Sequence, residues 1–141
     1  MRKRIKYVRQ EETYGCSLAC MAMILGISYK DIKAMWDPKY GAKSGIAEFM
    51  RTSFLFTKGY IGHTEYKCEA HTQIIRNKED WVKPFAPIHI VGVNTSNGPH
   101  AIIWCDGKIY DPNVQGIHDI ELYDVYEITG YWKLNSNRQR Q

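Results

Sequence analysis

The chain has 141 residues, 44% of them hydrophobic, and a formal net charge of +4. That is enough apolar material for one sizeable core and too little chain for two, so a single domain over residues 1–141 is expected. No apolar run is long enough to span a bilayer, and the N-terminus MRKRIKYVR lacks the apolar segment a secretory signal needs after its charges. This argues against a membrane-spanning or secreted protein and for a cytoplasmic one.

Much of the positive excess lies at the two ends, in Arg2, Lys3, Arg4, Lys6 and Arg9 and again in Arg138 and Arg140. Basic ends of this kind, about 1–5 and 135–141, suit solvated, poorly ordered chain. They could track nucleic acid, but no aromatic-studded RNA motif or recognition helix accompanies them, so that partner is not favoured. The cysteines, Cys16, Cys20, Cys68 and Cys105, show no paired metal-ligand spacing, and a chain with a proper core needs no disulfide staples. Reduced thiols are expected, with neither metal nor cofactor. The sequence leaves the oligomeric state open.

In chain order, Gln10 precedes Cys16 with five residues between them, and Cys16 opens the nearly all-apolar run CSLACMAMILG. Leu18, Ala19, Ala22, Met23, Ile24 and Leu25 leave no hydrophilic face, which predicts a buried helix with Cys16 at its N-terminus. There the unpaired backbone N–H groups and the helix dipole stabilise a thiolate, an advantage Cys20 lacks. Gly26 suits a left-handed helix stop, and Ser28 with Asp31 forms a capping box for a second helix carrying Ile32, Met35 and Trp36. Asp37-Pro38 is expected to end it. GAKSG lacks the spacing of a phosphate loop and follows a helix instead of a strand. From Gly45 onward, Ile46, Phe49, Met50 and Phe54 recur at helical intervals, predicting a third helix closed by Gly59.

Tyr60 to Arg76 reads as one or two strands. His63, Cys68 and His71 fall there, too loosely spaced for zinc, and are assigned to surface or packing roles. Asn77 begins a short capped helix that Pro84 ends. From Pro87 the period changes to short β-branched and aromatic runs, PIHIVGV, HAIIWC, KIYD and VYEITGYWKL, so the second half is sheet. His89, beside Val91 and Val93, reads as a packed or edge histidine.

Asp106-Gly107 is a favoured two-residue hairpin turn and fixes the register of its strands. Cys105 then faces Lys108, and Ile102 faces Asp111. His100 and Asp111 become diagonal neighbours on one face, roughly 7 to 8 Å apart at the backbone, a gap that their side chains bridge. A carboxylate there fixes the imidazole tautomer and supports its positive charge. Asn113, directly opposite His100 in that register, is a second candidate for the role.

The order Gln10, Cys16, His100, Asp111 resembles a papain-like cysteine peptidase of the C39 and C39-like kind. The likeness spans most of the chain and is carried by QEETYGCSLACMAMILG, PIHIVGV and GPHAIIWCDGKIYDP. It implies an α+β fold, N-terminal helices packed on a C-terminal antiparallel sheet, and a peptide or protein substrate. It also implies Cys16 as nucleophile, His100 as general base and then acid, Asp111 as orienter, and Gln10 with the Cys16 N–H as oxyanion donors. The family commonly has Asp before and Gly after the nucleophile, where this chain has Gly15 and Ser17. Two other readings compete. One is a transglutaminase-like acyltransferase or deamidase using the same three residues, and the other a non-catalytic binding module with basic ends.

Overall fold

The computed structural model describes residues 5–40, 46–67, 84–113, 116–118 and 124–134. The expected basic ends, the GAKSG loop, Cys68, His71 and the short helix from Asn77 lie outside the described residues, apart from Ile5 of the N-terminal end. Helices come first: α1 (Cys16–Leu25), α2 (Tyr29–Tyr40) and α3 (Glu48–Thr57). Then follow β1 (Tyr60–Lys67), β2 (Ile88–Thr95), β3 (Gly98–Cys105), β4 (Lys108–Asp111), β5 (Gly116–His118) and β6 (Asp124–Lys133). They form a six-stranded sheet, order β1-β6-β2-β3-β4-β5, with every neighbouring pair antiparallel. This is the α+β arrangement, helices before sheet, that the sequence predicts.

Because α1 is apolar all round, it is enclosed. Ser17 through Ile24 are buried, and the helix packs on β3 and α2. Leu18 and Met21 are fully covered, each such side chain contributing roughly 1.5–3 kcal/mol. Gly26 ends the helix at φ 72° and donates its N–H to Ala22 O at 2.8 Å, as its expected stop position requires. Strand alternation divides the sheet's side chains. Ile90, Ala101, Ile103 and Tyr131 join the helical core, while Val91, Ile102, Trp104, Ile109 and Ile128 form a second cluster.

Two expectations need correction. Helix α2 starts where predicted, with Ser28 Oγ accepting the Asp31 N–H at 3.1 Å, but it continues through Pro38 to Tyr40. Proline in the last turn removes one N–H from the ladder. The Lys33–Asp37 ion pair at 3.2 Å and the Trp36–Tyr40 ring contact at 4.3 Å support that turn from the side chains. In α3 the inward row is Met50, Arg51, Phe54 and Leu55, whereas Phe49 is 68% exposed. The apolar period marked the helix correctly and one of its faces wrongly. The short strand β5 carries no signal that separates it from loop.

Among the described residues no helix is long and apolar enough to cross a membrane. Nor do three or more His, Cys, Asp or Glu side chains among them cluster to hold a metal ion. His63 lies on the surface of β1 and pairs with Glu65.

Candidate active site

Cys16 is the first residue of α1, and its N-cap, Gly15, offers no side chain to the helix terminus. The backbone donors and partial positive charge of that terminus are therefore left to the residue that begins it. The second component comes from the hairpin. Asp106 (φ 55°) and Gly107 (φ 73°) take the positive φ values that a tight turn joining right-twisted strands demands. Cys105 pairs with Lys108, Trp104 with Ile109 and Ile103 with Tyr110, which is the register read from the sequence.

In that register the Asp111 and His100 side chains meet, His100 Nε2 lying 2.6 Å from Asp111 Oδ1. The Asp111 carboxyl is almost fully buried and the imidazole is 11% exposed. The same Oδ1 accepts the Asn113 N–H at 2.9 Å, which holds the carboxylate in one orientation. By alternation His100 belongs to the Ile102 face of β3. It is nevertheless close enough to Cys16 for the ring and the thiol to shift each other, with the Ala101 backbone acting on the thiol as well. One ring thus bridges a carboxylate and a thiol at a helix start.

Burial opposes ionisation of Cys16. The hydrogen bond and charge of His100, then the Ala101 backbone and the Arg51 charge, outweigh it, and the thiol is held below its ordinary value. Burial likewise disfavours the His100 cation, yet the hydrogen bonds to Asp111 and Cys16 and the charges of both raise it to about 9. Each partner favours the charged form of the other. Cys20, one turn along, is wholly buried and its thiol is pushed well up.

Gln10 is placed near the turn that carries Asp111, its N–H donating to Pro112 O at 2.9 Å. Its side-chain Nε2 donates to Glu12 O (2.8 Å) and Thr13 O (3.2 Å), so in this structure the amide is committed to its own loop. Asn113 differs from expectation. Strand β4 ends at Asp111, since Pro112 has no N–H to extend the ladder, and the Asn113 side chain is exposed instead of opposing His100. What Asn113 supplies to the carboxylate is its backbone N–H.

The two unusual neighbours of Cys16 have local causes. A Cβ at Gly15 would lie 2.1 Å from the Tyr29 hydroxyl. That hydroxyl donates to Glu12 Oε1 at 2.6 Å, while Lys33 binds Glu12 Oε2 at 2.7 Å. Only glycine fits beside this clasp. Ser17 Oγ accepts from Arg51 Nη1 at 3.2 Å, and Arg51 Nη2 meets Glu127 Oε1 at 3.2 Å in a buried ion pair. Neither Arg51 nor Glu127 was legible as part of the site, because a charge inside a helical or strand pattern ordinarily reads as solvent-facing.

No protein-family model and no curated protein matches the sequence. Solved structures do. The chain is similar to a double-glycine-motif protease from an AMS/PCAT transporter, solved in complex with the leader peptide, at 17% identity and TM-score 0.62, covering 95% of this chain and 94% of that one. It is also similar to the peptidase domain of Streptococcus ComA, a bifunctional ABC transporter of a quorum-sensing pathway, at 14% identity and TM-score 0.61, covering 94% and 100%. The chain has the papain-like α+β fold of these peptidase domains.

Proposed function

We propose that this protein is a cysteine peptidase acting on a peptide or protein substrate. The observation that carries the reading is the single imidazole of His100, held by Asp111 Oδ1 at 2.6 Å and placed so that it lowers the pKa of the thiol that begins α1. In this reading the Cys16 thiolate attacks the scissile carbonyl carbon, and the carbonyl electron pair moves onto oxygen. The Cys16 backbone N–H and the Gln10 amide donate to that oxyanion, Gln10 releasing a hydrogen from its own loop as substrate enters. The His100 imidazolium then gives its proton to the departing amine as the C–N bond breaks, leaving a thioester on Cys16. Neutral His100 next takes a proton from water, whose oxygen attacks the thioester; the C–S bond breaks, freeing the acid and leaving the Cys16 thiolate beside the His100 imidazolium. Asp111 stays ionised throughout and holds the ring.

The peptide substrate class is supported by the fold shared with peptidase domains, one of which was solved with a leader peptide. A nucleophile of this kind must stay reduced, which suits the cytoplasm. The test is mass spectrometry of peptide and protein libraries incubated with wild type and with Cys16→Ala. Cleavage that requires Cys16 is expected. A mass gain of deamidation or an amine adduct without cleavage would replace the peptidase reading by the acyl-transfer one, and products identical in both proteins would remove Cys16 from the chemistry.

A further inference from the structure

The extended segment before α1 has no regular structure of its own, yet Ile5, Tyr7 and Val8 pack against the helical core. Its polar contacts converge on one place. The Tyr7 hydroxyl donates to Asp111 O and lies 3.0 Å from Asn113 O, and the Gln10 N–H donates to Pro112 O at 2.9 Å. The carbonyls of three consecutive residues, Asp111, Pro112 and Asn113, are thus gripped from a segment about a hundred positions earlier in sequence. These residues form the turn in which the Asn113 N–H fixes Asp111 Oδ1, the oxygen that holds His100.

We infer that Tyr7 is a positioning residue for the reaction: its hydroxyl holds the turn at Asp111 and Asn113, and through that turn sets the grip of Asp111 on His100. This rests on the peptidase reading above. A hydroxyl has one hydrogen, so Tyr7 shares it between two carbonyls that flank the proline, and the ring's packing fixes where that hydrogen points. Removing the hydroxyl leaves both carbonyls without their donor and frees the turn to relax. The carboxylate then loses orientation while keeping its charge and its place in the sequence. The charged groups around Tyr7 agree with this position: burial and the Asp111 charge raise its phenol above the ordinary value, Arg9 opposes them, and Cys20 adds to them. On the other side of the relay, His100 is faced by Asp111 and Cys16.

The experiment compares Tyr7→Phe, Asp111→Asn and wild type by the NMR pH titration of the His100 ring and by the pH profile of Cys16 carbamidomethylation. In wild type the ring should titrate near 9. Folded Tyr7→Phe is expected to titrate between wild type and Asp111→Asn, with Cys16 alkylated several-fold more slowly at neutral pH. Profiles of Tyr7→Phe that coincide with wild type, while those of Asp111→Asn move, overturn the inference and leave the peptidase reading standing. If Asp111→Asn moves neither profile, the triad itself fails and the role of Tyr7 falls with it. Should Tyr7→Phe not fold, amide exchange in the wild type decides. A strap and turn that act as one unit open together, so the Gln10 and Asn113 N–H groups should exchange with equal protection. An Asn113 amide that stays protected after Gln10 has exchanged overturns the inference.

Discussion

His89 and His100 lie on adjacent strands of one sheet, and their environments drive them in opposite directions. His89 is buried, with Nδ1 3.1 Å from Trp104 O, Nε2 accepting the Phe85 N–H at 3.3 Å, and its ring against Trp104 at 4.7 Å. Both nitrogens are used by a neutral ring and no carboxylate is among these partners, so burial lowers its value, the Trp104 carbonyl opposing. His100 is nearly as enclosed, but a carboxylate and a thiol flank it and raise it to about 9. Burial alone keeps a histidine neutral; burial with a carboxylate on one side and a thiol on the other favours its cation, as the proposed role of proton carrier requires.

The largest effect expected from this contrast is on turnover. His100→Ala should lower kcat/KM by about a thousandfold, in the range typical of a lost general acid–base, whereas His89→Gln should leave it unchanged in the folded fraction. Steady-state kinetics on a substrate from the library screen would measure both. Comparable losses in the two variants would erase the distinction between the histidines.

Next in size is the buried pair behind Ser17. Arg51→Met leaves the Glu127 carboxylate buried without its cation and should cost about 3–5 kcal/mol of folding stability by urea denaturation. The double variant Arg51→Met with Glu127→Leu should recover much of that loss, because it removes the stranded charge. A single variant as stable as wild type would mean that the pair is not buried in solution.

Asp111→Asn should reduce kcat/KM less than His100→Ala does, since an amide oxygen still orients the ring although the charge supporting the cation is gone. Asn113→Ala should have little effect, because the carboxylate is held by the Asn113 backbone and not by its exposed side chain. A loss from Asn113→Ala as large as that from Asp111→Asn would restore the side chain as an orienter.

The smallest effects are those of pH on stability, and the two histidines give opposite signs. The folded value of His89 is below 6.5, so the unfolded chain binds more protons under that pH, and stability present above 6.5 is lost as pH falls towards the folded value. His89→Gln should flatten that acid arm. The folded value of His100 lies above 6.5, so its contribution is full below 6.5 and is lost as pH rises from there through about 9. Urea midpoints of the wild type across pH would show the two arms, and Cys16→Ala should pull the alkaline arm to lower pH, because Cys16 is one of the two groups that raise His100. An acid arm unchanged by His89→Gln would contradict the buried neutral ring.

What could be read from the sequence was local. Asp106-Gly107 fixes a register by turn geometry alone, and from it the meeting of His100 with Asp111 follows by counting. The apolar run from Leu18 similarly dictates an enclosed helix. What could not be read depends on contacts between distant residues. The last strand, β6, inserts between β1 and β2, a choice no local pattern encodes. Tyr7 reaches Asp111 and Asn113 across more than a hundred residues. Arg51 looked like one more polar helix residue until Ser17, Ile46 and Glu127 closed around it. Gly15 is explained only when the Tyr29 hydroxyl is seen where its side chain would be.

The central claim is that Cys16 is a thiolate held by His100, and timed alkylation of the folded protein tests it most directly. Wild type and His100→Ala would be treated with iodoacetamide at neutral pH, and each cysteine mapped by mass spectrometry. The account predicts that in wild type Cys16 is labelled well before Cys105, which is buried and donates its thiol to Pro87 O at 3.3 Å, and before the fully buried Cys20. It further predicts that His100→Ala slows Cys16 selectively. Equal labelling of Cys16, Cys20 and Cys105 in wild type, or a Cys16 rate indifferent to His100, would contradict it.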